Sequence, residues 1–327
     1  MIEPRTIRTA LFLGIAAGLM AFVILANTPD RGIFWSAAVD AGHAPLFGLF
    51  ALMILWAASV WRGPTGQRGS LRTRNYALAL AVTVAFGGLT EILQGLGSKD
   101  AELWDFIRDV LGGAAALVLA FVFDRRAGPH PARGRLLRVI LVLTAALLLA
   151  TALLRVTTVA IAYLLRDAAF PRICEFDDRW ETTFVGVKDA VLTRGKPPAG
   201  WGRDASNRAA HITFLPAQYP GMSIREPHPD WTGYDRLVFE VYSEARAPVD
   251  LNLRIDDAHH NNAYADRFNR VLVILPGSNR IWISLDDVRR APRTRPMDMT
   301  HIRGLTLFAV DPLMPFSIYL DGFRLER

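Results

Sequence analysis

The apolar residues of this 327-residue chain are crowded into its first half, and that crowding limits the fold more than any single motif does. Five runs, near 9–27, 43–61, 76–96, 104–123 and 137–165, are long enough or nearly so to cross a bilayer. Its hydrocarbon core of about 30 Å needs roughly 20 helical residues. Within lipid every backbone N–H and C=O must be bonded inside the protein, so such runs are helices. After about residue 165 the text changes to short alternating stretches separated by Gly, Pro and Asp. The expected fold is an α-helical transmembrane bundle of five helices over residues 1–166, followed by an all-β sandwich over residues 167–327. The run at 9–27 follows Arg5 and Arg8, as a signal peptide would. Leu25-Ala26-Asn27-Thr28-Pro29 lacks a small-residue cleavage pattern, so a retained helix is expected.

The net charge of +6 might suggest a nucleic-acid partner, but its distribution argues against one. The basic residues lie in the links between apolar runs: Arg5 and Arg8, then Arg62, Arg68, Arg72 and Arg74, then Arg125, Arg126, Arg133, Arg135 and Arg138. The alternate links hold only Arg31 and Lys99. Cytoplasmic loops are the ones enriched in Lys and Arg. The pattern predicts a multi-pass protein of a bacterial inner membrane, with a cytoplasmic N-terminus and an extracytoplasmic sandwich. Arg155, late in the fifth run, is expected to snorkel to the outer interface. The single Cys174 excludes an internal disulfide and any multi-cysteine metal site.

Polar residues interrupt the apolar runs at one level. Glu91 and Gln94 share a face near the end of the third run; Asp105, Arg108 and Asp109 open the fourth; Asp40 stands just before the second and His43 in its first turn. The predicted topology puts all of them in the outer leaflet. Ionisable groups in membrane-length segments are costly and usually face a bundle interior or a cavity. A structural account also exists, since Asp105 would meet a helix dipole and Arg108 would neutralise Glu91 or Asp109.

These residues resemble the VanZ-like membrane family. The carriers are Asp40-Ala-Gly-His43, Thr90-Glu91-Ile-Leu-Gln94 and Asp105-Phe-Ile-Arg-Asp109-Val-Leu-Gly112-Gly113, within residues 30–125. Ala41 stands where the family usually has Lys, and Asp109 where it has Asn. Only Lys99 could answer to a basic residue often found between the Glu and Asp helices. The resemblance implies a role in the cell envelope and supplies no reaction. No nucleophile motif and no His-x-x-x-His or Glu-x-x-His spacing accompanies the cluster, so catalysis, with Glu91 and His43 as acid and base, is the lesser expectation.

In the second half, Leu237–Tyr242, Val249–Ile255, Ile281–Leu285 and Ile318–Leu320 alternate apolar and polar residues at period two, as half-buried strands do. This half resembles the galactose-binding-like jelly-roll carbohydrate-binding modules, especially the kind related to family 11. Its carriers are Pro229-Asp230-Trp231-Thr-Gly-Tyr234, Asp256-Asp257, Asp266-Arg267-Phe268-Asn269 and Ile318-Tyr-Leu-Asp321-Gly-Phe-Arg-Leu325. Sugar recognition needs flat aromatic faces and planar polar groups. The candidates are Trp201, Tyr219, Tyr242 and Trp282 for stacking, with Asp256, Asp257 and His259 from the loop that follows a strand. Trp282 faces away from Ile281 and Ile283, while Trp231 and Tyr234 are expected in the core. The resemblance also implies a structural Ca²⁺ where Glu175, Asp177 or Asp178 would meet Asp321. No other cofactor is expected, and adjacent His259 and His260 diverge too far to make a metal pair.

The expected function is non-enzymatic: recognition of an envelope glycan or glycolipid by the sandwich, above a polar site in the bundle at membrane lipids. The alternatives are an enzyme or proton-coupled transporter acting on a lipid-linked substrate, and a scaffold for another envelope protein.

Overall fold

The computed structural model describes residues 14, 18, 32–61, 69–96, 103–124, 134–202 and 207–327. The chain divides into two compact units, Met1–Thr157 and Thr158–Arg327.

Among the described residues of the first unit, four helices are long and apolar enough to cross a membrane: α1 (Ile33–Trp61), α2 (Gly69–Gly95), α3 (Leu103–Phe123) and α4 (Arg135–Ala152). The helix expected at 9–27 lies outside the described residues apart from Gly14 and Gly18. Two expected boundaries are corrected. The helix expected from 43 begins at Ile33, so Asp40 and His43 sit two to three turns inside it rather than at its mouth. The run expected over 137–165 is two helices, α4 and α5 (Leu154–Ala169), with Leu153 between them at φ −93° and ψ 1°. Thr144, Thr151 and Thr157 each return their hydroxyl to the carbonyl four residues back, a bond that bends helices.

Small residues let α1 and α3 approach closely. A Cβ on Gly112 would collide with the Ala44 backbone, and one on Gly113 would lie 2.8 Å from Thr83 Cγ2 of α2. Gly48 in turn faces the Gly112 carbonyl. Such small-residue contacts replace the hydrophobic drive that lipid cannot supply between helices. Below them Phe50 stacks on Phe86 at 4.3 Å, and Tyr76 meets Phe121 edge-on at 5.4 Å. The order of these contacts makes α1 and α3 parallel and α2 antiparallel to both.

The second unit begins within α5, not at 167 as expected. Tyr163 donates to the Glu226 carboxylate, and Arg166 Nη1 donates to the Glu226 carbonyl at 2.8 Å while stacking on the Tyr163 ring. Beyond it two antiparallel sheets face each other. The first has the order β3 (Ala190–Gly195), β4 (Ala209–Phe214), β11 (Phe316–Glu326), β6 (Arg236–Ser243) and β9 (Gly277–Ser284), with β1 (Arg172–Cys174) on β11. The second has β2 (Val185–Lys188), β5 (Gly221–Arg225), β10 (Ile302–Phe308), β7 (Val249–Asp257) and β8 (Phe268–Ile274).

Alternation divides each strand between core and outside. On β7, Leu251, Leu253 and Ile255 are buried, while Asn252, Arg254 and Asp256 face out. The core also holds Trp231, Phe214 and the stacked pair Phe239 and Phe323, 4.6 Å apart. Trp231 donates its indole N–H to the His228 carbonyl at 2.8 Å, and Tyr234 packs beside it, as expected of both.

Candidate functional site

The outer face of the second sheet carries a groove of about 920 Å³. Its floor is built from positions with little or no side chain. Gly186, Ser223 and Thr306 lie side by side on β2, β5 and β10. Gly221 must be glycine, because a Cβ there would stand 2.7 Å from Phe308 Cβ. Phe308 therefore lies across the neighbouring strand and meets Tyr219 edge-on, with ring centroids 6.0 Å apart. Tyr264, 71% exposed, provides another wall. Arg267 stacks on it at 5.3 Å, and Arg254 projects from β7.

Tyr264 sits in a turn between β7 and β8 that a buried ionic knot holds in place. Asp257 ends β7 with its side chain fully buried and receives Arg295, the Asp298 N–H at 2.7 Å and the His259 N–H at 3.2 Å. Burial alone would push the Asp257 carboxyl up; the Arg295 guanidinium and these amides outweigh it and hold it below the usual range. Asp266, two residues after Tyr264, is held down by Arg295 and by the Asn261 N–H at 3.0 Å. Arg293 N–H adds a bond to the Ala265 carbonyl at 3.0 Å. The turn is thus fixed by residues some thirty positions downstream.

The expected sugar-contacting residues fall in different places. Tyr219 lines the groove; Asp256 does not, but it accepts from the lining residue Arg254 through Nε at 2.7 Å. Asp257 is part of the knot beneath. His259 is exposed and 3.4 Å from Asp298. Trp282 is 63% exposed as expected, but on β9 of the opposite sheet, beside Arg236 and Arg327. Trp201 is 6% exposed, packed on Tyr242 and Tyr319 on that same sheet at 5.9 and 6.3 Å. Trp201 and Tyr242 therefore occupy each other's faces. Sequence reasoning missed Arg225, Arg254, Tyr264, Arg267 and Phe308; outward alternation on β5, β7 and β10 marks three of them, and nothing local marks Tyr264.

The carboxylates expected at calcium each have a protein partner. Glu175 accepts from Arg172 at 3.0 Å, Asp177 from the Arg208 N–H at 2.6 Å, and the buried Asp321 from the Gly322 N–H at 2.7 Å. Among the described residues no group of three or more His, Cys, Asp or Glu side chains is placed to hold a metal ion. The nearby Glu181 is engaged by the Glu175 and Asp178 amides, while burial pushes its carboxyl up.

In the bundle, helices α1 and α3 bring His43, Asp105 and Asp109 together. His43 Nδ1 lies 2.9 Å from Asp109 Oδ1, and its Nε2 lies 4.0 Å from Asp105 Oδ2. Arg108 pairs with Asp105, not with Asp109 or Glu91. Arg155 pairs with Asp40 instead of snorkelling alone. Asp109 is fully buried, and the Cβ position of Gly87 on α2 is 3.3 Å from its Oδ2. Glu91, one turn beyond Gly87, turns Oε1 into the interior, and Gln94, three residues further along α2, is also buried.

No family model matches the chain, and no curated protein matches it. Solved structures do show likeness. An exo-β-agarase matches with 13% identity over 47% of this chain and a TM-score of 0.38, the chain spanning only 25% of that enzyme. The family 11 carbohydrate-binding module from Clostridium thermocellum, in complex with a β-1,3-1,4-mixed-linked tetrasaccharide, matches with 13% identity over 47% of this chain and 95% of its own, at TM-score 0.36. A family 30 carbohydrate-binding module of a Clostridium thermocellum cellulosomal cellulase matches with 9% identity over 43% of this chain and 89% of its own, at TM-score 0.33.

Proposed function

We propose that this chain is a membrane-anchored glycan-binding protein of the bacterial envelope. Its sandwich holds a saccharide in the groove of the second sheet, outside the cytoplasm, and its bundle is VanZ-like. The observation that carries this reading is the groove itself. It is a trough of about 920 Å³ floored by glycines and hydroxyls, walled by Tyr219, Tyr264 and Phe308, and flanked by side chains able to bond hydroxyls. Aromatic faces over a sugar's C–H surface, with a few fixed polar groups, are what a concave binding site supplies. Among the described residues lining the groove there is no carboxylate, and so no pair of the kind that glycosidic hydrolysis uses.

The test is a glycan array probed with the full-length protein in detergent. Binding to envelope glycans that disappears in Tyr264→Ala supports the reading. Equal binding by that variant, or none by either protein, sinks it. Reporter fusions after residues 74, 100 and 166 check the orientation, and a cytoplasmic reporter after 166 would remove the sandwich from the envelope.

A second reading comes from the contact of His43 with Asp109 inside apolar helices. A titratable pair in such a place suits proton-linked handling of a lipid-borne substrate at the membrane. If so, Asp109→Asn abolishes a pH-dependent activity of the chain in vesicles while leaving glycan binding intact.

A further inference from the structure

The groove's lining contains four basic side chains, Lys188, Arg225, Arg254 and Arg267, and no acidic one. Among the described residues, Lys188, Arg225 and Arg267 form no ion pair, and only Arg254 has a carboxylate partner, Asp256. The strand registers show how the charges are arranged. One row across the sheet runs Gly186, Ser223, Thr306, Arg254, Asn269. The row on one side joins Lys188, Gly221, Phe308 and Asn252, and the row on the other joins Arg225, Gly304 and Asp256. With strands about 4.8 Å apart, the central row spans about 19 Å and has cations on both flanks.

Arg267 lies half-buried beside Arg254. Burial and the neighbouring Arg254 both push its guanidinium down from its usual value, and its polar contact is a neutral one, Asn269 Oδ1 at 3.1 Å. Like charges gathered in a concave, partly desolvated site concentrate an anion of opposite sign. Guanidinium groups suit carboxylate and phosphate, because their planar forks match those oxygens in pairs, and sulfate presents its oxygens in the same tetrahedral arrangement as phosphate. Neutral Ser223, Asn252 and Thr306 share the lining with the cations, and Tyr264 and Phe308 offer apolar faces. The ligand these groups fit is anionic, hydroxylated and several rings long.

We infer that the groove is selective for an acidic polysaccharide, one whose sugar units bear carboxylate or sulfate groups, over a neutral glycan. This rests on the glycan-binding reading above and narrows it. Arg225 and Arg267 are the groups that read the charge, and Tyr264 supplies the stacking face.

The experiment is calorimetric titration of the full-length protein in detergent. The probes are polygalacturonate, alginate and hyaluronate, each beside its methyl ester, together with a neutral mixed-linkage β-glucan and a single-stranded oligonucleotide. At least one acidic polymer should bind tenfold or more tighter than its ester. That preference should weaken at about 0.5 M salt, where screening is short-ranged. The double variant Arg225→Gln/Arg267→Gln should lose the preference by tenfold or more while keeping the wild-type melting temperature, since neither arginine is ion-paired. Equal affinity for acid and ester, or for the neutral glucan, with no effect of the double variant, overturns the acidic selectivity and leaves glycan binding standing. Binding of no polysaccharide overturns both, and tight binding of the oligonucleotide alone reassigns the groove to nucleic acid.

Discussion

Arg295 grips Asp257 with both terminal nitrogens, Nη1 to Oδ2 at 2.5 Å and Nη2 to Oδ1 at 2.7 Å. Its Nε reaches Asp266 Oδ1 at 2.8 Å. One guanidinium thus ties the end of β7 to the turn that presents Tyr264, and the stability of the sandwich and the shape of its groove depend on the same side chain.

Arg295→Met should therefore cost stability and binding together. It leaves the buried Asp257 carboxylate without its fork, and removing one partner of a buried pair costs about 3 to 5 kcal/mol. Arg295 is partly open to water, so the loss should fall near the low end, about 3 kcal/mol. Chemical denaturation followed by tryptophan fluorescence measures it. A loss below about 1 kcal/mol would mean that water or another cation replaces Arg295.

Acid should unfold the sandwich over a window set by its depressed carboxylates. The Thr300 hydroxyl and amide, with His301, hold Asp298 at about 2, and Asp257 is also held low. A carboxyl whose folded value lies below its unfolded value of about 3.9 stabilises fully above the unfolded value, and that contribution is lost as pH falls through the folded one. The melting temperature should fall between about pH 4 and pH 2. Asp298→Asn should melt below wild type at neutral pH, with the gap closing across the same window. A constant gap down to pH 2 would contradict the assignment.

What the sequence disclosed and what it hid follow from the range of the interactions. Period-two alternation is local, so β6, β7 and β9 were readable, as was the outward side of Trp282. Whether an outward aromatic is open is not local. Trp201 lies on a short turn that folds back over Tyr242 and Tyr319, more than forty residues away. Tyr264 is fixed by Arg295 across a comparable separation. The start of α1 was misread because Asp40 looks like a boundary in an apolar run. Its pairing with Arg155 is what lets it sit inside the helix.

Close approach of α1 and α3 gives a sharp contrast between two glycines. Gly112→Ala drives a methyl group into the Ala44 backbone, which cannot move aside as a side chain would. Overpacking costs about 1 to 3 kcal/mol, and the upper end applies here. Gly42 has nothing within 4 Å of its Cβ position, so Gly42→Ala should be neutral. Thermal challenge in detergent followed by size-exclusion chromatography should show early loss of the monodisperse peak for the first variant alone. Equal behaviour would mean that the two helices do not meet at Gly112.

The buried His43 and Asp109 pair should behave as a unit. His43→Leu strands a fully buried carboxylate, and Asp109→Leu strands the imidazole. Each single change should destabilise the bundle by about 2 to 3 kcal/mol, the cost of an unsatisfied buried polar group. The double change to Leu removes both and should recover much of the loss. The same detergent assay reads the cycle, and additive losses would show that the two side chains do not interact.

The two most exposed aromatics of the sandwich allow the groove to be tested against the rest of the surface. Tyr264 and Trp282 are 71% and 63% exposed, so either could serve as a stacking platform by exposure alone. Only Tyr264 stands beside a trough with aligned polar groups; Trp282 lies on the other sheet, among Asp235, Arg236 and Arg327. Tyr264→Ala should weaken glycan binding by tenfold or more, the loss of about 1.4 kcal/mol that one aromatic contact supplies. Trp282→Ala should leave binding within twofold of wild type. Both side chains are peripheral to the core, so melting temperatures should match, and a binding difference reports the site. The reverse outcome, with Trp282 essential and Tyr264 silent, would move the binding face to the first sheet.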